Sequence, residues 1–394
     1  MSRSSTTRLS GISEHIKSPV RGQVCDSKQL PTTMSTQAAD HLPWNPNSTS
    51  FPTRKNLPKL PDAPDGAAWV WGKDDELGRL NLLTPQRVKA SAAEIETGEM
   101  IRLEWVSCCR ILSNQRLYLQ LISSLPLTVP ETPAFDREVF QHNIKPLIEG
   151  IAYDDTYTMN TQSGTQWDGF RHVGHIGSKC FYNGAKSTDF VGDAPNHRCS
   201  IHYWAVHGIA GRGILLDYYH YAQTNNKVYD PYTTHSIGLS ELQACATSQG
   251  IDLRPQAEGG DIRVGDILLV RSGFVDRYGE LSPEQRHAAA TRSHDDLCFA
   301  GLAREPAIRD WLHDCYFAAV AGDSPTFEAW PVPEMDHLHQ DLLALWGCPI
   351  GEMWDLEKLA DKCRSRGKWT FFLTSAPANM PGGVGSHANA TVIL

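Results

Sequence analysis

Apolar positions along this chain switch repeatedly between helical and extended spacing. Thr84 reads as an N-cap with Pro85 at the first helical position. Val88, Ala92 and Ile95 follow at helical spacing, and Gly98 stops the helix. Residues Ile101 to Ser107 alternate apolar and polar as a strand does. Ile214 to Leu216 and Ile267 to Val270 are short apolar runs that suit buried strands. Between them, Ser240 and Gln243 form a capping-box pair for a helix whose apolar side is Leu239, Leu242 and Ala246, with Gly250 as the residue past its end. Pro306 opens a helix with Ile308, Trp311, Leu312 and Cys315 on one face, and Tyr316 to Ala321 reads as the next strand. A further helix carries His337, His339, Leu342, Leu343 and Trp346 and stops at Gly347; strands at Trp369–Leu373 and Ala390–Leu394 close the chain. Interleaved strands and helices predict one mixed α/β domain over residues 61–394.

Residues 1–60 break this pattern. They are rich in Ser, Thr, Pro, Asn and Gln and are expected to form a disordered leader, with prolines 58, 61 and 64 making a stiff approach to the domain. Arg3, Arg8, Lys17 and Arg21 among serines leave a mitochondrial presequence as an alternative. Pro126, Pro130 and Pro133 suggest a long loop within residues 108–150, of a kind that covers a site. The chain has a formal charge of -9, which argues against a nucleic-acid partner and mildly against anionic membranes. No apolar run reaches the length of about 18 residues that a membrane helix needs. Ten cysteines without a Cys-x-x-Cys pair fit free thiols in a reducing compartment, so a cytoplasmic location is expected. Small-molecule chemistry is the default for this profile.

The densest chemistry lies in residues 160–175. An extended Gln162–Asp168 segment would aim Gln162, Gly164, Gln166 and Asp168 at one wall, with Trp167 in the core behind. Gly164 would let a ligand or ion approach the backbone there. His172 follows beyond Gly169, and its ordinary pKa suits proton transfer. Each residue also has a plainer reading. Asp168 before Gly169 could shape a turn, His172 could be a satisfied buried histidine, and His339 alone could be a surface residue. Arg171 and His175 read as structural, His337 as exposed, and Glu328 as either a substrate contact or a turn cap. The glycines at 382, 383 and 385 lack the Lys-Ser/Thr of a phosphate loop, and no Gly-x-Ser-x-Gly elbow is present.

The run from Gln162 to His172 resembles the H-x-G-T-H-x-D-x-x-x-H signature of the cyclase-like metal hydrolases, which include kynurenine formamidase and isatin hydrolase. Gly164, Thr165, Asp168 and His172 match in register, while Gln162 and Gln166 replace the two leading histidines. Segments at 211–217, 265–270, 322–325, and His339 followed by Glu352 extend the likeness toward the C-terminus. The resemblance implies a β-barrel-like core with surrounding helices, a homodimer, and a metal set of Asp168, His339 and Glu352 with His172 as acid/base. A Gln amide is a poorer zinc ligand than imidazole. One divalent metal (Zn, Mn or Mg) is therefore expected rather than two zincs, with Gln162 and Gln166 free to bind substrate. The expected activity is hydrolysis of an amide, lactam, ester or lactone in a small cyclic or aromatic metabolite. A metal-independent lyase, dehydratase or cyclase of secondary metabolism and a non-catalytic binding protein are the alternatives.

Overall fold

A computed structural model describes residues 42–103, 127–333 and 336–394. Expectations that fall on residues 1–41 and 104–126 (most of the leader, the end of the first strand and the loop at Pro126) lie outside the described residues. The strands are β1 (Met100–Arg102), β2 (Gln141–Ile148), β3 (Ala152–Thr158), β4 (Gln166–Asp168), β5 (Ile209–Leu216), β6 (Ser236–Ile237), β7 (Ile267–Val270), β8 (Gly301–Leu302), β9 (Ala319–Gly322), β10 (Ile350–Glu352), β11 (Thr370–Ser375), β12 (Gly385–His387) and β13 (Ala390–Ile393). The α-helices are α1 (Pro85–Ser91), α2 (Ile201–His207), α3 (Tyr218–Thr224), α4 (Leu239–Ser248), α5 (Phe274–Glu280), α6 (Pro283–Ala290), α7 (Pro306–Asp314) and α8 (Glu357–Arg366).

Nine strands form one mixed sheet in the order β1-β13-β11-β5-β7-β9-β10-β4-β12. Its middle, β5-β7-β9-β10, is parallel, and both flanks are antiparallel. Strands β7 and β9 are buried at every position, which is why they read as continuous apolar runs rather than alternating ones. The mixed α/β architecture, with helices around a curled half-barrel sheet, matches the expected class.

Capping chemistry sets the helix ends. Thr84 accepts from Arg87 N at the start of α1, as its sequence predicts. Helix α4 starts two residues before the expected Ser240 cap: Gly238 is the N-cap, and Glu241 rather than Gln243 reaches back to its N–H. Gly250 follows that helix at φ +73, a conformation glycine adopts without strain. Helix α7 buries Ile308, Trp311 and Leu312, and its last carbonyls accept from buried Arg79, at 3.2 Å on Leu312 and 3.1 Å on His313.

Residues 42–60, expected in the leader, pack against the body. Trp44 is buried and its backbone N–H donates to Val70 O, and Phe51 stacks on Tyr316 with ring centroids 4.6 Å apart. Aromatic side chains spaced among polar residues carry this strap, a signal that average composition hides. Residues 141–158, which overlap the end of the expected loop and run past it, form the β2-β3 hairpin, exposed along nearly its whole length.

Candidate metal centre

Strand β4 lies between β10 and β12, with Asp168 opposite Ile350 and Gly385, and Gln166 opposite Glu352 and His387. Alternation points Gln166 and Asp168 to one face and Trp167 to the other. Trp167 is fully buried and donates to Ser375 Oγ at 2.8 Å, as its predicted core position requires. The strand is shorter than expected. Gln162 and Gly164 belong to the preceding turn, so the four-residue wall does not form. Gly164 serves the chain rather than a ligand: a Cβ there would sit 2.9 Å from the Val129 carbonyl.

His339 reaches the same point from the start of a π-helical turn over Gln340–Leu345, where an ordinary α-helix is expected from the apolar spacing. Its Nε2 lies 3.0 Å from Glu352 Oε1 and 3.4 Å from Asp168 Oδ2. Its Nδ1 pairs with Glu328 Oε2 at 2.7 Å. Glu352 Oε1 also accepts from Phe327 N at 2.9 Å, and Gln166 Nε2 donates to Glu352 Oε2 at 2.8 Å and Asp168 Oδ1 at 3.1 Å. Three carboxylates thus converge on one imidazole, all buried.

Burial raises the Glu352 pKa to about 7, and the Asp168 charge adds to the rise. Burial also opposes the charge on Asp168, but His172 and His339 prevail and hold it below the usual range. His339 is pushed well above its usual value: burial disfavours its charge, yet Glu328 and the hydrogen bonds to Asp168, Glu328 and Glu352 favour it more strongly. Glu328 is lowered because His339 overcomes its burial. The pocket therefore stabilises one positive charge at His339 Nε2.

A divalent cation fits that demand. Ligand atoms of Asp168, His339 and Glu352 all lie within 4.8 Å of one another. Gln166 Oε1 is buried without a hydrogen-bond partner among the described residues, and Asp168 Oδ2 has there only the long 3.4 Å approach of His339 Nε2. Glu328 fixes His339 through Nδ1, leaving Nε2 for the cation, an arrangement common in carboxylate–histidine–metal sites. Two carboxylate oxygens and one imidazole suit Zn²⁺ or Mn²⁺, and a carboxylate-rich set also admits Mg²⁺.

The other expected residues sit around this centre. The His172 ring is 6.4 Å from the His339 ring between centroids, and burial lowers its pKa although Asp168 acts in the opposite direction. Gln162 is buried with neither side-chain polar atom hydrogen-bonded among the described residues; a Cβ on Gly385 would lie 2.3 Å from its Nε2. Arg137 donates from Nη1 to Gln162 O at 2.5 Å. Nothing in the local sequence marks Arg137, and Glu328 is ambiguous there until His339 is placed beside it. His337, expected to be exposed, is half-buried, its Nδ1 3.9 Å from Glu328 Oε1. Arg171 is structural as expected, donating to the carbonyls of Arg198, Gly382 and Asn196.

The Cyclase family profile matches residues 119–329, more than half of the chain. The chain belongs to the cyclase family. Among solved structures, this cyclase-family chain is similar to a novel cyclase at TM-score 0.67 and 25% identity, covering 83% of this chain and 99% of that one. Isatin hydrolase A from Ralstonia solanacearum aligns at TM-score 0.47 and 14% identity over 78% of this chain and 97% of its own. A predicted metal-dependent hydrolase from Bacillus stearothermophilus aligns at TM-score 0.38 and 14% identity over 66% and 92%. The comparison with curated proteins found no match. No helix among the described residues is long and apolar enough to cross a membrane.

Proposed function

We propose that this cyclase-family protein is a hydrolase that opens an amide, lactam, ester or lactone in a small cyclic or aromatic metabolite. Asp168, His339 and Glu352 would hold one divalent metal. The observation that carries this reading is the placement of His339 Nε2 between two buried carboxylates while Glu328 occupies Nδ1. A cation bound there supplies Lewis acidity. His172 is the proton carrier: burial keeps its imidazole neutral near pH 7, so it accepts a proton from the attacking water and returns it to the leaving nitrogen or oxygen. The Gln162 side-chain amide and the side-chain Oε1 of Gln166 bind and orient the substrate's polar groups, because these buried atoms lack partners among the described residues.

Metal analysis of the purified full chain tests the centre. About one equivalent of divalent metal is expected in the wild type, and a small fraction of that in Asp168→Asn. N-formylkynurenine and isatin are suitable first substrates; turnover should fall by at least about a hundredfold in His172→Ala, the scale of a lost acid/base group. Full metal occupancy in Asp168→Asn counts against the assigned ligands.

One observation favours a second reading, a metal-independent lyase or cyclase. The Gln166 amide nitrogen already spans both carboxylates, where the family signature has an imidazole. Activity insensitive to chelators, in protein free of metal, would establish it.

A further inference from the structure

A cavity of about 430 Å³ lies between the strap near Phe51, helix α1 and residues 255–266. None of the residues assigned to the metal centre lines it. Arg212 of β5 forms part of its wall and is itself 5% exposed. Its Nη2 donates to Asp261 O at 3.1 Å, and its Nε faces Glu94 Oε1 at 3.5 Å. Neither Nε nor Nη1 has a hydrogen-bond partner among the described residues. An unsatisfied buried guanidinium is costly, so these N–H groups call for an acceptor.

Arg87 lines the same cavity. It donates to the carbonyl oxygens of Pro46, Leu82 and Ser48, and makes no ion pair among the described residues. Burial lowers its pKa with no carboxylate acting against the shift. Arg212 therefore keeps two N–H groups without an acceptor at hydrogen-bond distance even with Glu94 and Asp266 beside it, and Arg87 has no ion pair among the described residues, although Glu258, Asp266 and Asp314 also line the space. The Phe51–Tyr316 stack and Leu83 supply an apolar wall.

We propose that this cavity is a second binding site, for a small organic carboxylate whose apolar part lies on Phe51 and Tyr316 and whose oxygens accept from Arg212. A monoanion suits the site better than a dianion. Glu94 and Asp266 already flank Arg212, at 3.5 and 3.7 Å, and would repel a second negative charge. The proposal is independent of the reading of the metal centre.

Titration calorimetry of the full chain with benzoate tests it, with benzamide and inorganic phosphate as comparisons. Benzoate is expected to bind at one site, at least tenfold more tightly than either. Arg212→Lys removes the planar fork, and Ala90→Trp places an indole at the cavity wall from an exposed position on α1. Each should weaken benzoate binding at least tenfold, with circular dichroism confirming the fold. Asp168→Asn should leave it unchanged. Absence of benzoate binding to the wild type overturns the proposal. So does binding that survives Ala90→Trp intact, disappears in Asp168→Asn, or is matched by benzamide or phosphate.

Discussion

Glu328 governs His339 more than any neighbour on the helical turn does. The π-turn brings the imidazole to the strand ends, but only the 2.7 Å pairing at Nδ1 fixes which nitrogen faces Asp168 and Glu352. Glu328→Gln keeps the size and an acceptor oxygen while removing the charge. Divalent-metal affinity, measured by chelator competition, should fall by about tenfold, within the range seen when such outer partners are lost. Unchanged affinity would show that the geometry survives without that charge. At this scale the sequence is uneven. Asp168 and His172 are legible because they keep their spacing within a recognisable run. Gln162 is legible as a departure from that run, but its turn conformation is not. Glu328 and His339 are separated by a segment whose path no local pattern encodes, so their partnership appears only in three dimensions.

Elements whose ends are written in local chemistry are the ones read well. Thr84-Pro85 and the apolar face of α7 both appear as expected, because caps and burial act within a few residues. The misplaced start of α4 and the shortened β4 depend on tertiary partners instead: Glu305 receives the Leu239 N–H, and β10 and β12 pair with only three residues of β4. Helix α7 also carries a pH-sensitive element. Burial depresses the pKa of His313 to about 4, and the nearby Arg79 charge lowers it further against the hydrogen bond to Asp314. An unfolded histidine titrates near 6.5. Between these values the unfolded chain takes up a proton that the folded chain refuses, so stability is complete above about pH 6.5 and falls as the pH drops toward 4. Exchange of His313 for Phe, between the Tyr316 and Trp346 rings, should remove about 2 kcal/mol of the stability loss between pH 7 and 5. Urea unfolding at both pH values checks this; equal acid losses in the two proteins would sink it.

For the whole molecule, fold class was readable from interleaved periodicities, whereas strand order was not, since β4 joins the sheet beside strands far downstream. The β2-β3 hairpin was unreadable for another reason: its residues alternate little because neither face meets the body. Ile144, Ile148, Tyr153 and Tyr157 are each more than half exposed. A lone two-stranded hairpin is marginal in water, and an exposed apolar patch of this kind suits an interface. A homodimer in which a second copy covers the hairpin is therefore the assembly proposed here. Replacing residues 141–158 by a two-residue Asn-Gly turn should convert the dimer to a monomer in sedimentation velocity, with the β4 core still folded. A wild type that sediments as a monomer would refute the assembly.

The position of β4 has a consequence for how the chain is made. Asp168 pairs with Gly385, more than 200 residues further on. At roughly 5–20 residues per second, the ribosome needs on the order of ten to forty seconds to deliver that neighbour. Until β10 emerges, the newborn chain carries this strand with both edges open, and the edge that β12 covers stays open for the whole interval. The strands of the parallel core β5-β7-β9 are all made before β10 and β12, so the centre at β4 is completed only when those later strands flank it.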